Sequence, residues 1–189
     1  MRKIPTLFER DPFDRSRVLP GRVTAGCEWV MRGEGVPTRK FDGTCVMFDG
    51  DAWWARREVK PGRSEPPGFR KVQADPVTLK RVGWEPIARS PFARFHAEAL
   101  ADPKRHVGSW RPGTYELVGP KINGNPEKMP GHTLVRHGTD MFDGITDPEL
   151  LIAECVFQGW EGVVWWRYPD DPDCEKAKLK VRDMPEGWA

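Results

Sequence analysis

The chain places one lysine where it could act as a covalent nucleophile and two others where they could hold a phosphate. Lys40 opens the tetrapeptide Lys-Phe-Asp-Gly. A lysine amine attacks only when it is neutral, and its unperturbed pKa is about 10.4, so neighbouring cations are needed to disfavour the ammonium form. Lys178 and Lys180 are two residues apart on a predicted strand, so they point to the same face and could both reach one phosphate. The three lysines indicate phosphoryl chemistry.

Two carboxylates and two arginines could complete such a site. Glu116 and Glu161 each lie at the edge of a predicted strand, where a carboxylate can accept a ribose hydroxyl or bind hydrated Mg²⁺. Arg56 and Arg57 leave a predicted strand on opposite faces, so one of them could grip a phosphate. Gly43 lets the backbone approach a bound nucleotide closely. Singly, each residue has an ordinary explanation as surface charge or turn, but their order and spacing together indicate one site.

This ordered set resembles the motifs of the covalent nucleotidyltransferase superfamily, which comprises DNA ligases, RNA ligases and mRNA capping enzymes. Residues 40–43 resemble motif I, 115–117 motif III, 161–164 motif IV and 178–180 motif V. Further segments are similar to the small ATP-dependent 5′-to-3′ RNA ligase family, namely 54–56, 115–119, 122–126 and 132–138. The combination is specific, although each motif alone is not.

The resemblance implies that Lys40 carries AMP during the reaction, with ATP as substrate and Mg²⁺ or Mn²⁺ as the metal. The residues that it implies for the nucleotide are Arg56, Glu116, Lys178 and Lys180, and those for the metal are Glu161 and Glu116. In the implied reaction, AMP passes from the lysine to an RNA 5′-phosphate, and an RNA 3′-hydroxyl then displaces it. RNA with these two ends is therefore the expected partner.

The expected fold class is α+β, a single nucleotidyltransferase domain over residues 1–189 with mainly antiparallel sheets and flanking helices. Nineteen Gly and nineteen Pro between short apolar runs favour strands joined by turns. The clearest hairpin pairs 44–48 with 52–56 across Asp-Gly. Helices are predicted from Ser90-Pro91 to Leu100 and from Asp147-Pro148 to just before Gly159, and further strands at 162–167 and 176–182.

Composition limits the remaining functions. With 189 residues and 38% hydrophobic content, the chain can bury one sizeable core. The formal net charge of +2 gives no global field that attracts nucleic acid, so RNA must bind a local patch of the 30 Lys and Arg. No apolar run approaches the ~20 residues of a membrane span, and no signal peptide follows Met1. These features predict a cytoplasmic protein with no membrane partner.

The four cysteines and four histidines show no zinc-binding spacing. They form no CxxC pair, no HExxH helix and no zinc-finger pattern. The cysteines are interpreted as isolated thiols, and His132 and His137 as structural or loop residues. No zinc site is predicted from the sequence.

The alternatives are a DNA ligase core, a GTP-dependent capping guanylyltransferase, and a nucleotide- or RNA-binding module without catalysis. Both enzymes normally carry an OB domain after motif V, whereas this chain ends at Ala189, nine residues beyond Lys180. The expectation is therefore an RNA ligase without a C-terminal OB domain, in which an accessory protein or self-association helps to hold the RNA. Intact Lys40, Glu161 and motif V lysines favour catalysis over the binding module.

Overall fold

A computed structural model describes residues 1–102, 110–169, 171 and 173–188. This part of the chain has mixed α+β structure with mostly antiparallel strands and few helices, as the sequence predicted. Among these residues, no helix is long and apolar enough to cross a membrane. The chain divides into two compact units. The first unit comprises Met1–Lys3 and Asp42–His137, and the second unit comprises Ile4–Phe41 and Gly138–Ala189.

The elements alternate between short strands and a few helices along the chain. The strands are β1 (Phe8–Arg10), β2 (Val18–Val23), β3 (Val36–Lys40), β4 (Thr44–Phe48), β5 (Trp53–Val59), β6 (Arg70–Ala74), β7 (Arg81–Pro86), β8 (Gly113–Val118), β9 (Thr133–Arg136), β10 (Gly162–Trp166) and β11 (Lys176–Lys180). The helices are α1 (Glu28–Met31), α2 (Ala93–Ala101) and α3 (Pro148–Gln158), with 3₁₀ turns at Ile87–Arg89 and Val181–Asp183.

The first unit is built on a six-stranded antiparallel sheet in the order β6-β7-β5-β4-β8-β9. The predicted hairpin is confirmed, because β4 pairs with β5 and places Val46 opposite Ala55. One face of this sheet carries the core, in which Val46, Tyr115 and Leu117 are buried with Ala99 of α2. Cys45 of β4 and Thr114 and Glu116 of β8 alternate with these core residues, so they project from the other face.

The second unit contains a three-stranded sheet in the order β11-β10-β3 and the separate pair β1-β2. Val163 of β10 and Leu179 of β11 are fully buried against α3 and the segments around it. The prediction for α3 is confirmed at both ends. The Asp147 carboxylate caps it by accepting the N–H groups of the first turn, and Gly159 ends it at φ +69°.

Three local predictions need correction. Helix α2 begins at Ala93 rather than at Ser90-Pro91, because the Ser90 hydroxyl accepts the Phe92 N–H in a turn before the helix. The last two strands end at Trp166 and Lys180, earlier than predicted. Strand β3 was not predicted; its second residue is a proline, and β3 lies at the edge of its sheet, where a missing N–H is tolerated. The single nucleotidyltransferase domain stays a prediction.

Candidate functional site

Three lysines project from one face of the sheet in the second unit. The register places Gly162 of β10 between Lys40 of β3 and Lys180 of β11, and Val164 opposite Lys178. Because alternate residues of a strand share a face, Lys40, Lys178 and Lys180 lie together, and the intervening residues point to the apolar core. The sheet therefore brings the predicted nucleophile and both motif V lysines to one surface.

Glu161, the residue just before β10, ties two of these lysines together. Its Oε2 accepts a hydrogen bond from Lys40 Nζ, and its Oε1 accepts one from Lys180 Nζ at 2.5 Å. The Glu161 side chain is 6% exposed, so the ion pairs are largely shielded from water. Burial raises the pKa of Glu161, but the two ammonium groups outweigh it and hold the pKa below its ordinary value. The carboxylate is therefore ionised and fixes the Lys40 amine.

Lys178 differs from its two neighbours. Its Nζ makes no hydrogen bond or ion pair with any residue in the described part of the chain. Burial, followed by repulsion from Lys180 and Lys40, lowers the pKa of Lys178 to about 8. Glu161 and Asp183 both raise the pKa of Lys178, but Glu161 is paired with Lys40 and Lys180, and Asp183 is held by Arg10 at 2.5 Å. Among the described residues, Lys178 is thus a half-buried cation without a counter-ion of its own, and an anion would stabilise its charged form.

This lowered pKa predicts a pH-dependent stability. Between about pH 8 and the unfolded value of 10.5, the unfolded chain binds more protons at Lys178 than the folded chain does. As pH increases through that window, the contribution of Lys178 to the free energy of unfolding therefore increases. Below the window, the charged Lys178 destabilises the folded chain by its full amount. Lys178→Met should be more stable than the wild type near neutral pH, and its advantage should shrink towards about pH 10. Urea unfolding across this range measures the difference, and an advantage that stays constant with pH would contradict the prediction.

Gly162 is needed between the two outer lysines. It has φ +152°, and a Cβ at this position would lie 2.1 Å from the Leu179 carbonyl oxygen. A side chain is therefore excluded for steric reasons. The Glu161-Gly162 pair puts a carboxylate at the start of β10 and leaves the space between Lys40 and Lys180 open.

In the first unit, Arg56 and Glu116 project from the same face of the six-stranded sheet. The register pairs Cys45 with Glu116 and Met47 with Trp54. Residues two apart share a face, so the face that carries Cys45 and Glu116 also carries Trp54 and Arg56. This is the face opposite to the core of the first unit.

The two arginines of β5 are separated as predicted. Arg56 Nη1 donates to the Met1 carbonyl oxygen at 2.6 Å. Arg57 lies on the other face, where its Nη1 is 3.9 Å from Glu85 Oε1. Of the two, Arg56 is the arginine on the Glu116 face, and its role in binding nucleotide stays a prediction.

Glu116 is buried and both of its oxygens have partners. Oε1 accepts the Gly43 N–H at 3.1 Å, and Oε2 lies 2.8 Å from His137 Nε2. A Cβ on Gly43 would lie 2.4 Å from the Leu117 carbonyl oxygen, so this position requires glycine. The Gly43 N–H thus approaches the Glu116 carboxylate of strand β8, and the predicted approach of this backbone to a nucleotide stays a prediction.

The turn at Asp42 and Gly43 is held by two side chains for which no role was predicted. Asn123 Nδ2 donates to Asp42 Oδ1 and to the Gly43 carbonyl oxygen, both at 2.9 Å. Glu127 Oε1 accepts the Asp42 N–H at 2.7 Å. Asn123 falls within the segment 122–126 that is similar to the RNA ligase family, and that similarity was the one available signal. Glu127 lies just outside it.

The predicted site residues therefore form two sets. Lys40, Glu161, Lys178 and Lys180 come together in the second unit, and Arg56 and Glu116 share a sheet face in the first unit. The chain passes from one unit to the other between Phe41 and Asp42, inside the motif I tetrapeptide. No protein-family model matches this chain, and no curated protein matches it significantly. Its function is therefore inferred from these residues and their geometry.

Proposed function

We propose that this chain is an ATP-dependent RNA ligase, which joins RNA 5′-phosphate and 3′-hydroxyl ends through a lysyl-AMP intermediate. The observation that carries the proposal is the single sheet face that presents Lys40, Lys178 and Lys180, with Glu161 bound to two of them. The face carries three ammonium groups and one carboxylate, which binds two of them. This excess of positive charge favours a phosphate ligand. The resemblance to the superfamily motifs indicates that this phosphate belongs to a nucleotide. The similarity to the small RNA ligase family indicates ATP as the nucleotide and RNA as the second substrate.

The first step uses Lys40 as nucleophile. Its amine attacks the α-phosphorus of ATP, a P–N bond forms, and the bond to the pyrophosphate oxygen breaks. The lysine must lose a proton for this attack, and Glu161 Oε2 is the acceptor that already binds Nζ. Lys178 and Lys180 neutralise the charge that develops on the α-phosphate oxygens.

The next two steps return the lysine to its starting state. An oxygen of the RNA 5′-phosphate attacks the phosphorus of the bound AMP, the P–N bond breaks, and Lys40 regains its proton. The RNA 3′-hydroxyl then attacks the activated 5′-phosphorus, loses its proton, and AMP leaves. These steps need mainly positioning and charge neutralisation, which the lysine face supports.

Glu161 fits a role in holding hydrated Mg²⁺. Each carboxylate oxygen can accept from two directions. Oε1 faces Lys180 and, at 3.6 Å, Arg182 Nη2, whereas Oε2 accepts from Lys40 and keeps a lone pair for a metal-bound water. Such an ion supplies charge neutralisation at the phosphates. Glu116 lies among a thiol and an imidazole, a softer donor set than Mg²⁺ favours, and its predicted part in the magnesium site stays a prediction.

An assay that separates the candidate functions combines two nucleotides and two nucleic acids. The wild-type chain is incubated with Mg²⁺ and either ATP or GTP, and its intact mass is measured. The nucleotide-treated chain is then given RNA or DNA strands with a 5′-phosphate. A 5′-hydroxyl RNA strand is the matched control, because it has no phosphate to accept AMP. We expect an AMP adduct from ATP, then adenylated RNA and sealed RNA from the 5′-phosphate strand.

The other outcomes favour other functions. A GMP adduct in preference to AMP would indicate a capping guanylyltransferase, and sealing of DNA in preference to RNA would indicate a DNA ligase core. Nucleotide binding with no covalent adduct would indicate a binding module. Any of these three results would overturn the proposal.

A further inference from the structure

Three potential metal ligands meet on one face of the sheet in the first unit. They are Cys45 of β4, Glu116 of β8 and His137, the residue after β9. One ligand atom from each lies within 4.8 Å of the others. Cys45 stands directly opposite Glu116, and the His137 N–H donates to the Thr114 carbonyl oxygen at 3.1 Å. Strand pairing therefore fixes Cys45 and Glu116, and the hydrogen bond to Thr114 holds His137 at the start of the turn after β9.

The histidine and the carboxylate are each oriented by a second partner. His137 Nδ1 lies 2.9 Å from Thr114 Oγ1, and Glu116 Oε1 accepts the Gly43 N–H. Metal-binding histidines commonly have their other ring nitrogen held in this way, and ligating carboxylates are hydrogen-bonded in turn. Both residues thus have the outer contacts that a metal ligand requires.

The remaining atoms of the pair face each other. In one tautomer His137 Nε2–H donates to Glu116 Oε2, 2.8 Å away, and the Thr114 hydroxyl donates to Nδ1. In the other, Nδ1 donates to Thr114 Oγ1, and the Nε2 lone pair and Glu116 Oε2 then face each other as two acceptors that need a cation between them. A proton would serve these two atoms, whereas a metal ion would serve them and the Cys45 thiol together.

We propose that Cys45, Glu116 and His137 bind one divalent transition metal ion of borderline softness, with Zn²⁺ as the best match. Sulfur, imidazole nitrogen and carboxylate oxygen are the donors that Zn²⁺ uses, and three protein ligands leave a fourth position for water or an anion. Binding releases the thiol proton to solvent, and the thiolate and carboxylate then balance the charge of the ion. This site goes beyond the proposed ligase function, although it shares Glu116 with it.

Cobalt(II) is the probe for this site, because its absorption reports both geometry and thiolate ligation. The full chain is stripped of metal with a chelator, dialysed and titrated with Co²⁺ without nucleotide. We expect one Co²⁺ per chain, a thiolate-to-cobalt charge-transfer band, and visible bands of four-coordinate intensity. Added Zn²⁺ should remove these bands, because zinc binds such donors more tightly than cobalt.

Two variants locate the site. Cys45→Ser should lose the charge-transfer band, and His137→Gln should weaken Co²⁺ binding ~10-fold or more. Cys174→Ser is the matched control, because Cys174 is a half-buried thiol of the second unit and should leave the titration unchanged. Circular dichroism and thermal melting of each variant show whether a loss of binding reflects a loss of fold.

The proposal is overturned if Co²⁺ binds without the charge-transfer band, or if folded Cys45→Ser retains that band. It is also overturned if the wild type does not bind Co²⁺, which would leave Glu116 and His137 as a hydrogen-bonded pair. Lys40→Ala separates this proposal from the ligase function. That variant should keep the cobalt spectrum while it loses AMP transfer, so either proposal can fail without the other.

Discussion

Lys40→Arg should abolish the covalent AMP adduct and leave the fold intact. Arginine keeps the positive charge and can still pair with Glu161, but its guanidinium stays protonated and cannot attack phosphorus. Intact mass after incubation with ATP and Mg²⁺ should show one added AMP on the wild type and none on the variant. Lys40→Ala should give the same loss, although it also leaves the Glu161 carboxylate with one ammonium partner fewer.

The matched control for this experiment is Lys60→Arg. Lys60 is an exposed lysine just after β5, outside both sets of site residues, so this variant should acquire AMP at the wild-type rate. Peptide mapping of the wild-type adduct should place AMP on Lys40. An adduct on folded Lys40→Arg, or an AMP-bearing peptide that does not contain Lys40, would show that another residue is the nucleophile.

Lys178→Ala and Lys180→Ala should each slow lysine adenylation by a factor on the order of 10² or more, the scale expected when a preorganised charge at a transition state is lost. The glutamine variants should be nearly as slow, because charge and not bulk is required. Lys178 lacks a counter-ion among the described residues, and Lys180 shares the carboxylate of Glu161 with Lys40. Rapid-quench measurement of adduct formation at saturating ATP gives the rates.

The pH profile distinguishes an electrostatic role from a structural one. With one cation fewer on the face, the rate profile of each alanine variant should move to higher pH. Lys176→Gln is the control on the same strand and the same face, at the end of β11 opposite to Lys180. The Lys176 ammonium lies 4.2 Å from the centre of the Trp166 ring and donates to the Cys174 carbonyl oxygen, so its loss should leave the profile in place. Unchanged rates and profiles in both Lys178→Ala and Lys180→Ala would show that neither lysine acts in the reaction. Lys176 would then be the next candidate for the motif V lysine.

Local sequence signals predicted the elements that depend on local physics. The Asp49-Gly50 signal predicted the hairpin of β4 and β5; in the structure residues 49–52 form the connecting loop, in which the Asp49 carboxylate accepts the N–H groups of Asp51 and Ala52. Asp147 and Gly159 predicted the ends of α3, because an N-cap carboxylate and a left-handed residue act within a few residues. The period of two along β11 likewise placed Lys178 and Lys180 on one face.

The predictions that failed locally did so where neighbouring structure overrode the signal. Ser90 and Pro91 have the composition of a helix start, yet the turn at Ser90 delays α2 until Ala93. Strand β3 was not predicted, and it tolerates Pro37, which lacks an N–H, because it lies at the edge of its sheet beside β10.

The meeting of distant residues was decided by the tertiary structure. Lys40 and Glu161 are 121 positions apart, and their contact depends on the register of β3 against β10. The group formed by Cys45, Glu116 and His137 comes from β4, β8 and the turn after β9, so no spacing rule along the chain could detect it. Such registers are set by which apolar residues are buried on the opposite face, and a slip of one residue would turn every one of these side chains to the other side. The sequence by itself therefore determined the chemistry of each residue and its local element, and the burial of the two cores determined which of them share a site.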